Sequence, residues 1–351
     1  MIRAVGIDPG TVSIDVCGLL DGELYLDRSW PTAEALGDPA RFVRELTAPG
    51  QPDIVAGPSG YGLPLIPSGA ATDTDLRLAF LAAPEETGGI GGLRHFARQL
   101  GSSGIPMVYT PGVIHLDTVP EHRKLNRVDL GTADKLAVAV LGIHQECERQ
   151  NCAPEQTSFI LVELGGAFTA AVAVAYGQLV DGIGGTSGPI GWRSAGALDG
   201  EVAFLAGHIS KAALFQGGVS TLLERAPSMA IAAREAYAEG AMKAVRQLHQ
   251  SAPSAQDILL SGRYSFDDAI VNRLTRDLAD IGSVRRMTGF AAHAKQGAQG
   301  AALMADGLAG GRNAALIDRL RLRHANGTVL DHLIFVSREA ARQRLGLVSD
   351  G

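Results

Sequence analysis

Two short segments place an acidic residue at the end of an apolar run and glycine directly behind it. The first is Asp8-Pro9-Gly10-Thr11, the second Glu163-Leu164-Gly165-Gly166. A carboxylate at a strand end can hold a hydrated metal beside a phosphate chain, and the bare amides and Thr11 hydroxyl behind it can donate to phosphate oxygens. Glu163 can hold Mg2+ through water or orient an attacking group. Taken singly, each segment also reads as an ordinary turn whose acid bonds its own backbone. Taken together, two such turns about 155 residues apart read as a two-sided phosphate clamp.

The densest polar cluster spans residues 122–135. Arg123, Lys124 and Arg127 put three cations within five positions, enough to bind an anionic substrate or neutralise a transferring phosphoryl group. Asp134 falls in the first turn of the helix that follows. There it is either a helix-stabilising acid or a base for an acceptor hydroxyl. Lys135 beside it suits a structural salt bridge better.

The loop over 182–191 is rich in glycine and carries Thr186 and Ser187, which can contact anionic groups. The glycines are too many for mere spacing and let the loop lie close to a substrate or move as a lid; a disordered surface loop is the alternative. Gly262 and Arg263 follow a strand end, where open α/β sheets bind ligands. Arg263 can stack on a base or meet phosphate, or simply face solvent. Gly297 and Gly300 thin one face of a helix, for a nucleotide or for tight helix packing.

Other chemistries lack their residues. The histidines stand at no metal-ligand spacing, the three cysteines form no CxxC, and no P-loop or GxGxxG occurs in a usable context. Gly57-Pro58-Ser59-Gly60-Tyr61 misses the second glycine of a nucleophile elbow. A net charge of −6 without a basic stripe gives nucleic acid no footing. No uncharged apolar run approaches 18 residues, and the chain opens directly on a strand-like segment. Free thiols, no membrane span and no signal segment lead us to expect a cytoplasmic protein.

The elements needed to position these residues can be read from the patterning. The chain has 351 residues, 46% apolar and 19% charged, with 44 glycines concentrated in clusters. That suits two α/β domains. Each half opens on a buried strand, a glycine turn and a second strand, which argues for duplication. The expected fold is therefore α/β, with mixed sheets flanked by helices. Domains are expected over 1–155 and 156–311, with a C-terminal extension over 312–351 and a long insertion over 58–92. Met229, Met242 and Met304 lie in helical patterns and read as core.

These motifs together resemble the acetate/sugar kinase, heat-shock chaperone ATPase and actin superfamily. The resemblance rests on 6–11, on 163–169 and on Ser261-Gly262-Arg263 with 297–300, the last two being similar to the superfamily's adenosine-binding part. More narrowly, 115–120 with 127–135 resembles an uncharacterised prokaryotic family described as predicted butyrate-kinase-like. The resemblance implies duplicated actin-like ATPase (ribonuclease H-like) domains with ATP and Mg2+ in a cleft between them. It implies that Asp8 and Glu163 hold the metal and that Gly10, Thr11, Gly165, Gly166, Thr169, Gly262, Arg263 and Gly297 hold the nucleotide. Arg123, Lys124, Thr186 and Ser187 would meet a small anionic acceptor, with Asp8, Arg127 and Asp134 catalytic.

The acceptor divides the expectations. The narrower likeness implies a short-chain carboxylate, whereas 131–135 is also similar to the stretch of type III pantothenate kinases whose Asp acts as base, with Lys135 in place of Arg. Acetate and butyrate kinases generally have Asn at the place of Asp8, and Glu163 stands where sugar kinases often have Asp. An alcohol kinase using Asp134, and a nucleotide-regulated binding module or activator without an acceptor, are the alternatives. A homodimer is compatible with the sequence.

Overall fold

The computed structural model describes residues 1–83 and 90–347. The chain divides into two compact units. Unit 1 comprises Met1–Val128, Thr132–Glu155 and Gly289–Gly351; unit 2 comprises Asp129–Gly131 and Gln156–Thr288.

In unit 1, strands β1 (Arg3–Pro9), β2 (Ser13–Leu20) and β3 (Glu23–Pro31) form an antiparallel meander. The β2–β3 turn is made by Asp21 and Gly22, both at positive φ, the conformation that favours Asp-Gly in a two-residue hairpin. Strands β4 (Ile54–Ala56) and β6 (Met107–Tyr109) join parallel to β1, and β5 (Ile66–Pro67) closes the edge antiparallel to β6. The strand order is β3-β2-β1-β4-β6-β5. One face carries the core, which includes Val5, Ile14, Val16 and an edge-to-face series Trp30, Phe42, Phe96 with centroids 5.0 and 5.2 Å apart.

The other face is covered by helix Gln296–Leu308, whose residues 297–307 are all buried. Small side chains let its backbone lie almost on the strand. A Cβ on Gly6 would stand 2.2 Å from the Ala302 nitrogen, and one on Gly300 would stand 1.8 Å from the Ala137 carbonyl oxygen in helix Ala133–Gln150. The 156–311 expectation put this helix in the second domain; it belongs to unit 1, where its backbone at Ala298, Ala301 and Ala302 lies against Gly6 of β1. The tail also has a place. Asn326 N–H donates to the His115 carbonyl (3.0 Å), and the Asn126 carboxamide oxygen accepts from Ile334 and Phe335 N–H, both at 2.8 Å.

The expected insertion over 58–92 contains β5 and helix Asp73–Phe80, started by a capping box between Thr72 and Asp75. Its residues 84–89, like 348–351 of the tail, lie outside the described residues.

Unit 2 repeats the plan. Strands β7 (Phe159–Leu164), β8 (Thr169–Ala175) and β9 (Gln178–Ile183) form the meander, and β10 (Asp257–Ser261) and β11 (Ser283–Arg286) add parallel on the far side of β7. The order is β11-β10-β7-β8-β9. Helix Ala230–His249 covers one face with Ala233, Tyr237, Ala241, Ala244 and Leu248, spaced at three and four residues. Met304 is buried in unit 1 and Met242 packs at the edge of the unit 2 core, but Met229 is 49% exposed, at the helix start rather than on its inner face.

Candidate functional site

The carboxyl end of β1 gathers most of the chemistry of unit 1. Gly10 N–H donates to the Ser13 carbonyl (2.9 Å), closing the turn, and the Thr32 hydroxyl donates to the Gly10 carbonyl (2.8 Å). A Cβ on Gly10 would stand 2.8 Å from the Ser13 oxygen, so the turn admits glycine alone without moving. Thr11, next to it, is exposed. Helix Gln296–Leu308 begins against Asp8, where a Cβ on Gly297 would stand 2.5 Å from Asp8 Oδ2. Gly297, assigned from the sequence to an adenosine contact, thus lies beside Asp8 and the turn that follows it.

Helix Ala133–Gln150 brings Asp134 to the same place. Thr132 occupies the cap position, but its hydroxyl donates to Asp134 Oδ1 instead of accepting from the backbone. Lys135 Nζ donates to Asp134 Oδ2 at 2.5 Å. Burial opposes the charge on Asp134, yet Lys135 and the Thr132 hydroxyl outweigh it and hold the carboxyl below its usual range. Asp8 goes the other way. Burial, and then the charge of Asp134, push its carboxyl up to about 7, against the pull of Lys295 and Lys135. Two carboxylates that raise one another's cost of ionisation, with two lysines that offset it, thus meet at the end of β1.

Sequence reading missed a third carboxylate. Asp15 faces Asp8 across the β1–β2 ladder and is 1% exposed. Its Oδ2 accepts from Ser13 Oγ (2.8 Å) and pairs with Lys295 Nζ (2.9 Å). The alternation of Ser13 and Asp15 on one face of β2 was the available signal; nothing near Lys295 in the sequence linked it to them.

In unit 2 the second turn is closed by Gly165 N–H donating to the Phe168 carbonyl (3.0 Å). A Cβ on Gly166 would meet nothing within 4 Å, leaving its backbone open to a ligand. Ser261 pairs with Glu163 across β10 and β7, and Gly262, at φ +83°, lies against Glu163 and Leu164. Arg263 opens the following turn and is exposed. Thr169 is different: it is fully buried and its hydroxyl donates to the Ile190 carbonyl (3.2 Å), so it serves the core.

The loop over 182–191 is packed rather than loose. Thr186 Oγ1 and N–H reach Asp129 Oδ2 at 3.4 and 3.5 Å, and Ser187 Oγ donates to the Asp129 carbonyl at 3.1 Å. A Cβ on Gly184 would stand 2.0 Å from Asp129 Cγ. Both hydroxyls read from sequence as acceptor contacts therefore serve Asp129. Of the three cations in 123–127, Lys124 turns inward, 4% exposed, and its ammonium donates to the Leu116 carbonyl (2.9 Å). Arg123 is half-buried and Arg127 exposed. The cluster is split by direction.

Among the described residues, no group of three or more His, Cys, Asp and Glu is placed to hold a metal, and no helix is long and apolar enough to cross a membrane. Mg2+ asks for less, being bound by one or two carboxylates, waters and substrate phosphates; Asp8 and Asp134 fit it.

A family described as "Protein of unknown function (DUF1464)" matches residues 6–335. The chain belongs to the DUF1464 family. That description carries no substrate, so it gives no butyrate-kinase identity. No curated protein matches this DUF1464 sequence. In structure it is similar to a propionate kinase from Francisella tularensis subsp. tularensis SCHU S4, at TM-score 0.60 and 13% identity over 86% of this chain and 99% of that one. It is also similar to acetate kinases from Porphyromonas gingivalis (TM-score 0.56, 13% identity, 84% and 94% covered) and Entamoeba histolytica (0.56, 10%, 80% and 87%). At such identities the likeness is one of fold. This DUF1464 chain has two mixed sheets flanked by helices, a fold similar to that of those propionate and acetate kinases.

Proposed function

We propose that the protein is an ATP-dependent phosphotransferase that acts on a small anionic acceptor, a short-chain carboxylate. The observation that supports this most is the convergence of Asp8, Asp134, Lys135 and Lys295 on the glycine turn at Gly10. Asp8 and Asp134 would hold Mg2+, which when bound supplies positive charge against the phosphate chain. Gly10 and Thr11 present amides to phosphate oxygens, and in unit 2 Gly165, Gly166 and Glu163 offer a turn of the same kind. Arg263 suits a base or phosphate contact.

The state of Asp134 favours a carboxylate acceptor over an alcohol. A carboxylate stabilised by Lys135 and Thr132 accepts a proton poorly, and an acceptor already ionised near pH 7 needs no base. Arg127, with Arg123, would draw the anion in and offset its repulsion from the γ-phosphate.

The test is an ATP-consumption screen over short-chain acids, hydroxy acids, sugars and pantothenate-like alcohols, with hydroxylamine present. We expect a hydroxamate, the mark of an acyl phosphate, and Asp8→Ala should weaken Mg2+-dependent turnover. A stable phosphate ester would replace the carboxylate reading with an alcohol kinase. No saturable nucleotide binding at millimolar ATP would remove the kinase reading altogether.

A further inference from the structure

The Asp15–Lys295 pair performs no task in the fold that explains its cost. Asp15 is 1% exposed, and its Oδ1 has no hydrogen-bond partner. It also stands opposite Asp8, an arrangement of like charges that weakens a ladder. A buried ion pair is poor value as a stabiliser, since desolvation cancels most of its attraction. What the pair does accomplish is to fix the direction of a long side chain. Lys295 is 51% exposed, yet its ammonium is held by both Asp15 Oδ2 and Ser13 Oγ.

The place where the ammonium is held matters. A Cβ on Gly10 would lie 3.2 Å from Lys295 Nζ, so the charge stands directly over the bare backbone of the phosphate turn. Lys295 also immediately precedes helix Gln296–Leu308, so the rigid glycine contacts of that helix fix its backbone. An ammonium has three donors. Two are taken by Asp15 and Ser13, and among the described residues the third has no protein acceptor.

The geometry points to Lys295 as a phosphate-binding residue of the nucleotide site, with Asp15 as the positioning residue that aims it and Ser13 as the bridge between them. The ligand it takes is the polyphosphate chain of a nucleoside triphosphate at the Gly10 turn. This rests on the kinase reading above and adds to it a cation supplied by the chain itself. The buried acid keeps the lysine from swinging into solvent, where its long stem would otherwise take it.

The test uses the full-length chain and calorimetry with a nonhydrolysable ATP analogue at low and high salt. Lys295→Met should weaken binding roughly 10- to 100-fold, the loss of a charge-assisted bond, and flatten its salt dependence. Asp15→Asn keeps the shape and an acceptor for Ser13, and should lose about 3- to 10-fold with the same flattening. Lys295→Arg, which keeps the charge, should retain the salt dependence. A purely structural pair would lower the melting temperature of the ligand-free protein and leave the salt dependence unchanged. Lys295→Met binding within about twofold of the parent, with the parent's salt dependence, overturns the inference and leaves the kinase reading standing. If the parent itself binds no analogue, both fall. Should Asp15→Asn fail to fold, the two Lys295 variants decide the matter.

Discussion

Replacing Gly6 by alanine tests the joint on which the unit 1 site is built. A Cβ at this position would stand 2.2 Å from the Ala302 nitrogen, 2.3 Å from the Ala298 oxygen and 2.6 Å from the Ala301 carbonyl carbon. All three are backbone atoms of one buried helix, so no side chain can swing aside. Ordinary contact begins near 3.4 Å, so the helix must move out by about 1 Å to admit the methyl group. Overpacking of this kind costs ~1–3 kcal/mol, and the rigid opposing surface argues for the upper end. In a unit of this size ~3 kcal/mol lowers the melting temperature by roughly 6–12 °C. The same shift carries Gly297 and Lys295 away from Asp8 and Gly10, and a misplacement of ~1 Å is worth on the order of 10²-fold in rate. The assay is thermal unfolding by circular dichroism, run beside nucleotide binding. Gly69→Ala is the control, since a Cβ there meets nothing within 4 Å, and it should stay within about 0.5 kcal/mol of the parent. If Gly6→Ala melted within about 1 °C of the parent, the helix would not be seated on β1 as described.

Lys124→Met should cost about 1–3 kcal/mol in chemical denaturation, because the Leu116 carbonyl loses its buried donor; it should leave acceptor KM unchanged, and a raised KM with unchanged stability would restore Lys124 to the acceptor site. Burial holds the His115 imidazole neutral, pushed from 6.5 down to about 4. The unfolded chain therefore takes up a proton first as pH falls, so the stability tied to His115 is complete above about 6.5 and drains away toward pH 4, by on the order of 3 kcal/mol. His115→Gln should flatten that acid limb in melts from pH 8 to 4, and parallel curves for parent and variant would refute it.

The sequence announces what depends on local pattern. Asp8 and Glu163 each close a run of buried residues and precede glycine, and both stand at strand ends beside a tight turn. Asp134 reads correctly as a first-turn acid. What it conceals depends on which surfaces meet. The small residues over 297–302 show that the helix is thin, yet not that β1 is the strand it lies on. Thr169, Thr186 and Ser187 have the side chains of phosphate contacts, and only the packing reveals that their partners are Ile190 and Asp129. Lys124 differs from Arg127 by direction alone, which no count of charges contains. Lys295 and Asp15 are joined by a fold that brings together residues far apart in the chain.

The covering of β1 by helix Gln296–Leu308 also orders events in time. A ribosome releases the first three strands early, but the backbone that fits against Gly6 follows about 300 residues later. At synthesis rates of ~5–20 residues per second, that face of the sheet waits roughly 15–60 s for its cover. All but three residues of unit 2 lie in one continuous stretch, Gln156–Thr288, and emerge in full before the helix does. The β1–β3 meander is therefore finished only after all of unit 2 has been made, and a chain ending near residue 290 would leave that face of the sheet without its cover.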